Sequence, residues 1–417
     1  MLRVIGPEAL PEARRDAVDA ETLAQAAAIV SDVRARGEAA VREHAERLGD
    51  LVPGAPLLLG PEDLAKAKRD LEPAHVATLE RTANRIRVFA ELQRSALRDA
   101  RMRIEGGEAG HTVAPVDRAG CYAPGGRFPL PSSVLMTVVT ARAAGVQQVW
   151  VASPRPAPVT VAAACVAGAD GLITVGGAQA IAALAFGAGP ILPVDVIVGP
   201  GNRWVTAAKQ LVVGRVGIDM LAGPSELLVL ADDSADAAVV AADLLAQAEH
   251  DVDARPLLVT TSAGLVERVN EELARQLEDL PTASTAREAV REGFAVLCAD
   301  EDQAVDVCNR LAPEHLEVMT CNPERDARHL RHHGALFLGA GAAEVLGDYG
   351  AGPNHVLPTG SSARCKGGLS VFDFLRVRTW MRMDRMGEAG GLVDDAVCLA
   401  RLEGLEGHAR AALRRRS

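Results

Sequence analysis

Residues Leu244 to Asp251 read Leu-Leu-Ala-Gln-Ala-Glu-His-Asp and close an apolar-periodic run that begins near Ser234, a pattern that predicts the last turns of a helix. On a helix Gln247 and His250 share a face, with Asp251 beside them. An amide oxygen, an imidazole and a carboxylate at one spot have the composition of a metal or polar-substrate site, although polar residues at a helix end also serve as caps. Two further clusters carry chemistry-bearing side chains. Ala312-Pro313-Glu314-His315-Leu316 places adjacent Glu and His after a proline that ends the preceding helix, a candidate acid/base pair. Residues 347–359 form a glycine- and proline-rich loop holding Asp348, Asn354 and His355, and long structured loops of this kind are more often functional than decorative.

The histidines sort by context. His250, His315, His355 and His408 lie in polar or glycine-marked surroundings suited to binding or catalysis, whereas His44 and His75 read as surface residues and His111 as a loop residue. His329, His332 and His333 are expected on a basic, solvated helix. No H-E-x-x-H occurs, and His315 lacks the downstream P-C-x-x-C of nucleobase deaminases, which disfavours both of those hydrolase types. The cysteines are odd in number, widely spaced and without a C-x-x-C pair, so neither a disulfide framework nor a thiolate zinc site is indicated.

The elements that must position these residues alternate. The pattern is helical from Ala20 to about Leu97, and a turn-rich segment, Arg118 to Gly126, leads through Pro131-Ser132-Ser133 into an apolar helix from Val134. Serines at that point can cap a helix and offer an anion-binding terminus. Strands are expected at 148–152, 171–175 and 194–198 with helices at 159–167 and 178–186 between them. Then follow strands at 226–231, 257–261, 295–299 and 335–338 with helices at 234–251, 263–280 and 301–311. Such alternation means parallel sheets with covering helices. The expected fold is α/β with two Rossmann-like parallel-sheet units, one of them discontinuous, an N-terminal helical segment and a small C-terminal helical arm. The expected division is a 1–18 extension, a first domain of 19–119 plus 227–364, a second domain of 120–226, and an arm of 365–417 whose glycines bend it, suited to reach another subunit. Ligands of open parallel sheets bind at the carboxyl ends of strands, so Gln179 after Gly176-Gly177 and Asn202 after Gly199-Pro200-Gly201 are candidate ligand contacts. Neither loop is a G-x-G-x-x-G fingerprint, and the near miss Gly339-Ala340-Gly341-Ala342-Ala343-Glu344 has Glu in place of the third glycine and is set aside.

The chain has 417 residues, 48% hydrophobic and 24% charged, with a net charge of −11 and 3% aromatics. This is material for two or three domains with sizeable cores. Nothing resembles a basic stripe with interleaved aromatics, so nucleic acid is not an expected partner. No apolar run approaches the roughly 18 residues of a membrane span, and the first residues lack a signal-peptide core. A cytoplasmic protein without a membrane partner is expected. From the residues themselves the reading reaches a two-unit α/β enzyme with a Glu-His acid/base pair and a candidate metal site.

Together, Cys121 to Gly126, Pro131 to Met136, Gly199-Pro200-Gly201-Asn202, Ala222 to Glu226, Ala246 to Asp251, Ala312 to Leu316, Gly347-Asp348-Tyr349, Asn354 to Thr359, and Glu403-Gly404-Leu405 before His408 closely resemble the histidinol dehydrogenase family. The resemblance implies oxidation of L-histidinol through L-histidinal to L-histidine, the last step of histidine biosynthesis, with two NAD⁺ and one Zn²⁺ per site. It implies Gln247, His250, Asp348 and His408 as zinc ligands and Glu314 and His315 as the catalytic pair. Substrate contacts would be Ser225, Gln247, His250, His315, Asp348, His355, Glu403 and His408, with Tyr122, Gln179 and Asn202 for NAD. Members are homodimers with shared active sites, and Glu403 and His408 would come from the partner's arm. Asp251 takes no ligand role and is expected as a cap or support.

Arg127-Phe128-Pro129-Leu130 and Arg203-Trp204 are bulkier than expected beside the nucleotide, and the arginine-rich 365–383 segment is atypical. Those arginines would suit an anionic substrate, so the alternative is a paralogue acting on a sulfonated or other polar alcohol. A non-catalytic zinc-dependent binding protein on the same fold is the alternative from another class, and the Glu314-His315 pair argues against it.

Overall fold

The computed structural model describes residues 1–11, 18–125 and 129–416. Gly126 and Arg127-Phe128, weighed above, lie outside the described residues. Two six-stranded sheets carry the fold. The first runs in the order Leu58–Leu59, Gly171–Ile173, Gln148–Ala152, Arg118–Tyr122, Val196–Val198, Gly217–Ile218, parallel except at the Leu58–Leu59 edge. The second runs Arg3–Ile5, Phe294–Leu297, Arg255–Thr260, Glu226–Ala231, His315–Met319, Ala335–Leu338, parallel throughout. Apart from the edge strands Leu58–Leu59 and Arg3–Ile5, which come from earlier in the chain, each sheet begins with an interior strand, Arg118–Tyr122 or Glu226–Ala231, and later strands are added on both sides of it. This is the Rossmann-like order, as the alternation predicts.

Helices cover both faces of each sheet. Ala20–Arg36, Glu38–Arg47, Gly177–Phe186 and Arg203–Val212 bury one face of the first sheet, and Pro61–Asp70, Pro73–Ser95, Pro131–Ala144 and Pro158–Ala167 bury the other. Ala237–Ala248, Ala263–Asp279 and Ala283–Glu292 bury one face of the second sheet, and Glu301–Leu311 lies on the other.

The packing departs from the expected grouping of residues 19–119 with 227–364. The helices between Ala20 and Ser95 pack on the sheet that contains Arg118–Tyr122. The reason lies in helix Gly177–Phe186, where every residue from Ala178 to Ala185 is buried. A helix apolar all round needs cover on its outer side too, and Ala26, Val30, Val33, Ala40 and Val41 provide it. The amino terminus is likewise more than an extension, because Arg3–Ile5 pairs with Phe294–Leu297 as an edge strand. Helix Pro131–Ala144 starts at the proline and has no side-chain cap, so the expected serine cap is not made.

A third, antiparallel sheet joins Ala100–Ile104, Gly107–Pro115 and Leu375–Met383. The arginine-rich 375–383 stretch is therefore a strand, which anchors the start of the arm. Beyond it Gly390–Leu402 and Glu406–Leu413 pack on each other through Val393, Val397, Ala400 and Ala409. The chain reverses at Gly404, whose φ of +74° suits glycine.

A buried ion pair shapes the carboxyl edge of the first sheet. Lys209 pairs with Asp219 and donates to the Gly199 carbonyl (2.9 Å), while Asp219 accepts from the Gly199 and Met220 amides (2.7 and 2.6 Å). Gly199 has φ +112°, and a Cβ there would lie 2.1 Å from the Tyr122 carbonyl oxygen. Lys209→Met would leave Asp219 charged and buried without its counter-ion. The expected loss is roughly 3–5 kcal/mol, read as a lower urea midpoint; an unchanged midpoint would show that the pair does not hold this edge.

Candidate active site

Residues 219–225 run from the carboxyl end of the last strand of the first sheet, Gly217–Ile218, to the amino end of Glu226–Ala231 in the second. So short a connector sets the carboxyl edge of one sheet beside the amino edge of the other, and the candidate residues gather there. Glu226 and the start of the neighbouring strand His315–Met319 form the centre, Leu227 being in register with His315. Glu314 Oε2 accepts from the Glu226 amide (2.8 Å), and His315 Nδ1 donates to the Glu226 carbonyl (3.1 Å). The backbone of one residue, Glu226, thus fixes both members of the pair. The Glu226 carboxylate turns away to Arg255 (2.7 Å) and to the Gly360 amide (3.3 Å).

The sequence pattern did not reveal Glu344. It is buried and lies 3.8 Å from His315 Nδ1. The Gln247 amide suits its surroundings with the nitrogen toward Glu344, donating to Oε1 at 2.9 Å. Glu344 is the residue that spoils the glycine fingerprint at 339–344, and nothing local marks it as functional. Behind it, Glu317 accepts from the Glu344 amide (2.6 Å), and its other oxygen faces Asp243. Among the described residues neither Asp243 Oδ2 nor Glu317 Oε2 has a hydrogen-bond partner, and burial raises both carboxyls, with the Asp243 charge adding to the push on Glu317.

Segment 348–359 crosses to the helices of the first sheet. Gly350 accepts from Arg85 (2.6 Å), and the Asn354 amide donates to the Met136 carbonyl and Thr140 Oγ1 (2.9 and 3.1 Å). At one end, Asp348 Oδ1 stands 3.7 Å from His315 Nε2. His355 Nδ1 donates to the Asp348 carbonyl (2.9 Å), with Ser133 Oγ 3.5 Å from Nε2. Ser225 hydrogen-bonds Glu314, and the His250 imidazole acts on Asp348 while remaining exposed. Asp251 makes a local turn, accepting from the Asp253 amide (3.1 Å), in keeping with a supporting role.

Electrostatics follow from burial. Burial pushes the Glu314 carboxyl up to about 7 against the pull of His315. It drives Glu344 well above the ordinary carboxyl range, with Asp348, Glu314 and Glu317 adding to the push. Burial alone would lower His315, but Glu344, Glu314 and Asp348 raise it to about 10. For Asp348, burial is outweighed by His315, His355 and His250, and its carboxyl is held low. His315 Nε2 has no hydrogen-bond partner among the described residues. Ligand atoms of His315, Glu344 and Asp348 lie within 4.8 Å of one another. A buried, oxygen-rich cluster with an unpartnered imidazole nitrogen has a donor set that fits a divalent cation.

On the first sheet, Tyr122 and Gln179 are buried together. The Tyr122 hydroxyl accepts from the Gly177 amide (3.1 Å), and Gln179 donates to Asp50 (3.1 Å) while its own carbonyl oxygen has no partner. Asn202 caps helix Arg203–Val212, its Oδ1 accepting from the Trp204 and Val205 amides (3.1 and 3.2 Å). Glu403 and His408 are exposed on the arm, and within one chain the structure does not bring them to this cluster.

Residues 12–416 match the profile of the family described as histidinol dehydrogenase. The chain is 48% identical to the histidinol dehydrogenase of Thermus thermophilus over 84% of this chain and 90% of that one. It is 43% identical to that of Ralstonia nicotianae over 95% and 92%. Among solved structures, the histidinol dehydrogenase of Elizabethkingia anophelis superposes with a TM-score of 0.92 at 29% identity, covering 99% of this chain and 98% of that one.

The Asp243–Glu317 pair gives a pH signature. Both carboxyls are raised, chiefly by burial, so the folded state holds a proton that the unfolded chain releases above the ordinary carboxyl range. Their contribution is complete at low pH and fades as pH rises past about 4.5 through neutrality. Glu317→Gln keeps a donor for Asp243 without the proton. Between pH 5 and pH 8, wild type should lose more of its denaturation midpoint than the variant. Equal losses would mean that the pair holds no extra proton.

Proposed function

The chain belongs to the histidinol dehydrogenase family, and from that premise we propose that it oxidises L-histidinol through L-histidinal to L-histidine with two NAD⁺, the last step of histidine biosynthesis. The observation that carries this reading is the pair Glu314 and His315, both fixed on the backbone of Glu226 beside Asp348.

Gln247, His250 and Asp348 would hold a zinc ion, completed by His408 from a second copy of the chain. When bound, the zinc would anchor the amino and imidazole nitrogens of the substrate, and NAD⁺ would accept hydride. The buried carboxylates and the amide of Gln247 support a cation here. With a divalent cation among Asp348 and its neighbours, the carboxylates no longer need an imidazolium as counter-charge, so His315 can work as a neutral base.

Because Nδ1 is committed to the Glu226 carbonyl, the lone pair of His315 sits on Nε2, toward Asp348. That nitrogen takes the hydroxyl proton as hydride leaves the alcohol carbon. The aldehyde must then be hydrated. Glu314, held by one oxygen and titrating near neutrality, takes a proton from water as the water oxygen adds to the carbonyl carbon, and His315 returns the proton it took in the first step to the carbonyl oxygen, which gives the diol and leaves the imidazole neutral again. His315 takes a proton from the resulting diol as the second hydride leaves. Ser225, His355 and the second copy's Glu403 would orient the substrate, and Tyr122, Gln179 and Asn202 would face the dinucleotide. A homodimer with shared sites fits the exposed arm, and a biosynthetic role fits the cytoplasm. Among the described residues no helix is long and apolar enough to cross a membrane.

Purified protein with zinc, NAD⁺ and L-histidinol should yield two NADH per substrate, and His315→Ala should lower kcat by about 10²–10⁴. Absence of turnover across zinc and pH conditions, or a variant rate equal to wild type, would overturn the assignment.

Ligation and subunit sharing are tested together. Gln247→Ala and His408→Ala should each lose zinc on dialysis, and full retention would remove them from the ligand set. Mixing inactive His315→Ala and His408→Ala subunits should restore part of the activity, because one of the two sites in a mixed dimer then carries both native residues. No recovery on subunit exchange would place His408 in its own chain's site.

A further inference from the structure

A second basic feature lies away from the active site. A cavity of about 450 Å³ is lined by Arg310, Arg331, Arg364 and His332, together with Asp306 and Asn309 among others. In a chain of net charge −11, three exposed arginines converge on one cavity, and among the described residues no ion pair neutralises them. Arg310 donates to the Pro7 carbonyl (3.1 Å), and Arg364 donates to the carbonyls of Asn309 (2.8 Å) and Arg310 (3.4 Å). Among the described residues the Arg331 guanidinium has no hydrogen-bond partner, and none of the three arginines forms an ion pair, with Asp306 or any other acid. Most of their donors are therefore free to meet a ligand.

The wall is built rather than incidental. Buried Asn309 donates to the His329 carbonyl (2.9 Å) and accepts from the Arg331 amide (2.7 Å), which fixes the turn that presents Arg331 and His332. That segment is an extended turn after the short helix Pro323–Ala327 and not the solvated helix expected from its composition. Arg331, Arg364 and His332 line the same cavity, and burial, then Arg364 and Arg331, depress the His332 imidazole.

Each wall continues into the catalytic pair. Arg310 is four residues before Glu314 on the chain. Arg331 leads to Gly334, whose amide donates to the Pro313 carbonyl (3.0 Å). Arg364 follows Gly360, whose amide donates to Glu226, the residue that holds Glu314 and His315.

We propose that this cavity binds the phosphate group of a small anion, gripped by Arg310, Arg331 and Arg364, and that its occupancy alters turnover at Glu314 and His315. Guanidinium forks match phosphate oxygens in geometry as well as charge. Three of them around a cavity of this size suit one phosphate, either free or as a monoester of a small molecule.

The test is calorimetric titration of the full-length zinc-loaded protein, at constant ionic strength and with saturating NAD⁺ so that the dinucleotide region is filled. The titrants are inorganic phosphate and, separately, glycerol 3-phosphate. One saturable site per chain is expected. Among the described residues the Arg331 guanidinium has no partner, so Arg331→Gln should fold normally and weaken binding about tenfold. Arg331→Lys should recover part of the loss, and Arg101→Gln, on a distant exposed strand, should bind as wild type. Glycerol 3-phosphate binding as tightly as phosphate, or more so, assigns a monoester, and binding of phosphate alone assigns the free ion. Absence of saturable binding, or equal binding by Arg331→Gln, overturns the site. The kcat with histidinol should change with phosphate in wild type and not in Arg331→Gln, and binding without that change overturns the link to turnover.

Discussion

The constraint on which this molecule depends is the crowding of carboxyl groups at one edge of its second sheet. Glu226, Asp243, Glu314, Glu317 and Glu344 are buried there, with Asp348 beside them. Each would be costly to bury charged and unpaired, and each is satisfied in a different way. Glu226 has Arg255, Asp243 and Glu317 have raised proton affinity beside each other, and Glu314 accepts a backbone amide. Glu344 takes the Gln247 amide and shares the field of His315 with Asp348. Those arrangements leave His315 as the main cation facing several acids, and its raised proton affinity is the consequence. A cation held among these carboxylates, as proposed, would change that balance and with it whether the imidazole is acid or base.

Rigidity comes from the placement of the pair at the start of a strand. Glu314 and His315 meet the amide and carbonyl of one residue in the adjacent parallel strand, so their separation is set by sheet register and not by side-chain freedom. Glu314 also follows Ala312, which holds φ +47° as the cap of helix Glu301–Leu311. A non-glycine residue in that region is strained, and the strand pairing that follows keeps it there. The helix, the strained cap and the strand thus form one unit that delivers two side chains to a fixed point.

The alternation of apolar runs made the two sheets legible, since buried parallel strands such as Glu226–Ala231 and helices such as Glu301–Leu311 carry their periods openly. His315–Met319 was not legible as a strand because Glu and His interrupt it, and those residues are buried for chemical reasons that propensity does not record. Helices 20–95 show an apolar stripe but not which sheet it covers, since any apolar face would serve. The strands of the third sheet read as polar on both sides, as exposed ribbons do. Gln247, Glu314, His315, Asp348 and His355 stood out as polar residues in marked settings. Glu344 and Asp243 lie on ordinary helical stretches and acquire meaning only when the chain folds them against His315. The rule that ligands sit at carboxyl ends of parallel strands pointed to Gln179 and Asn202, and it says nothing of the amino edge used by the second sheet.

The arm bears on whether one chain makes a whole site. Its strand Leu375–Met383 is tied along its length to Gly107–Pro115, and its two helices pack on each other through a small cluster of their own. Leu399, Leu402 and Leu405 remain exposed on it, next to Glu403 and His408. This small helical pair leaves leucines in water while presenting a carboxylate and an imidazole, a patch of the kind found at interaction surfaces. Docked on a second copy, as proposed here, the leucines would be covered and the two polar groups would enter a cluster already rich in carboxylates. The imidazole would then arrive where a cation is held with too few nitrogen ligands, and the stability of the dimer and of the metal site would become a single linked equilibrium.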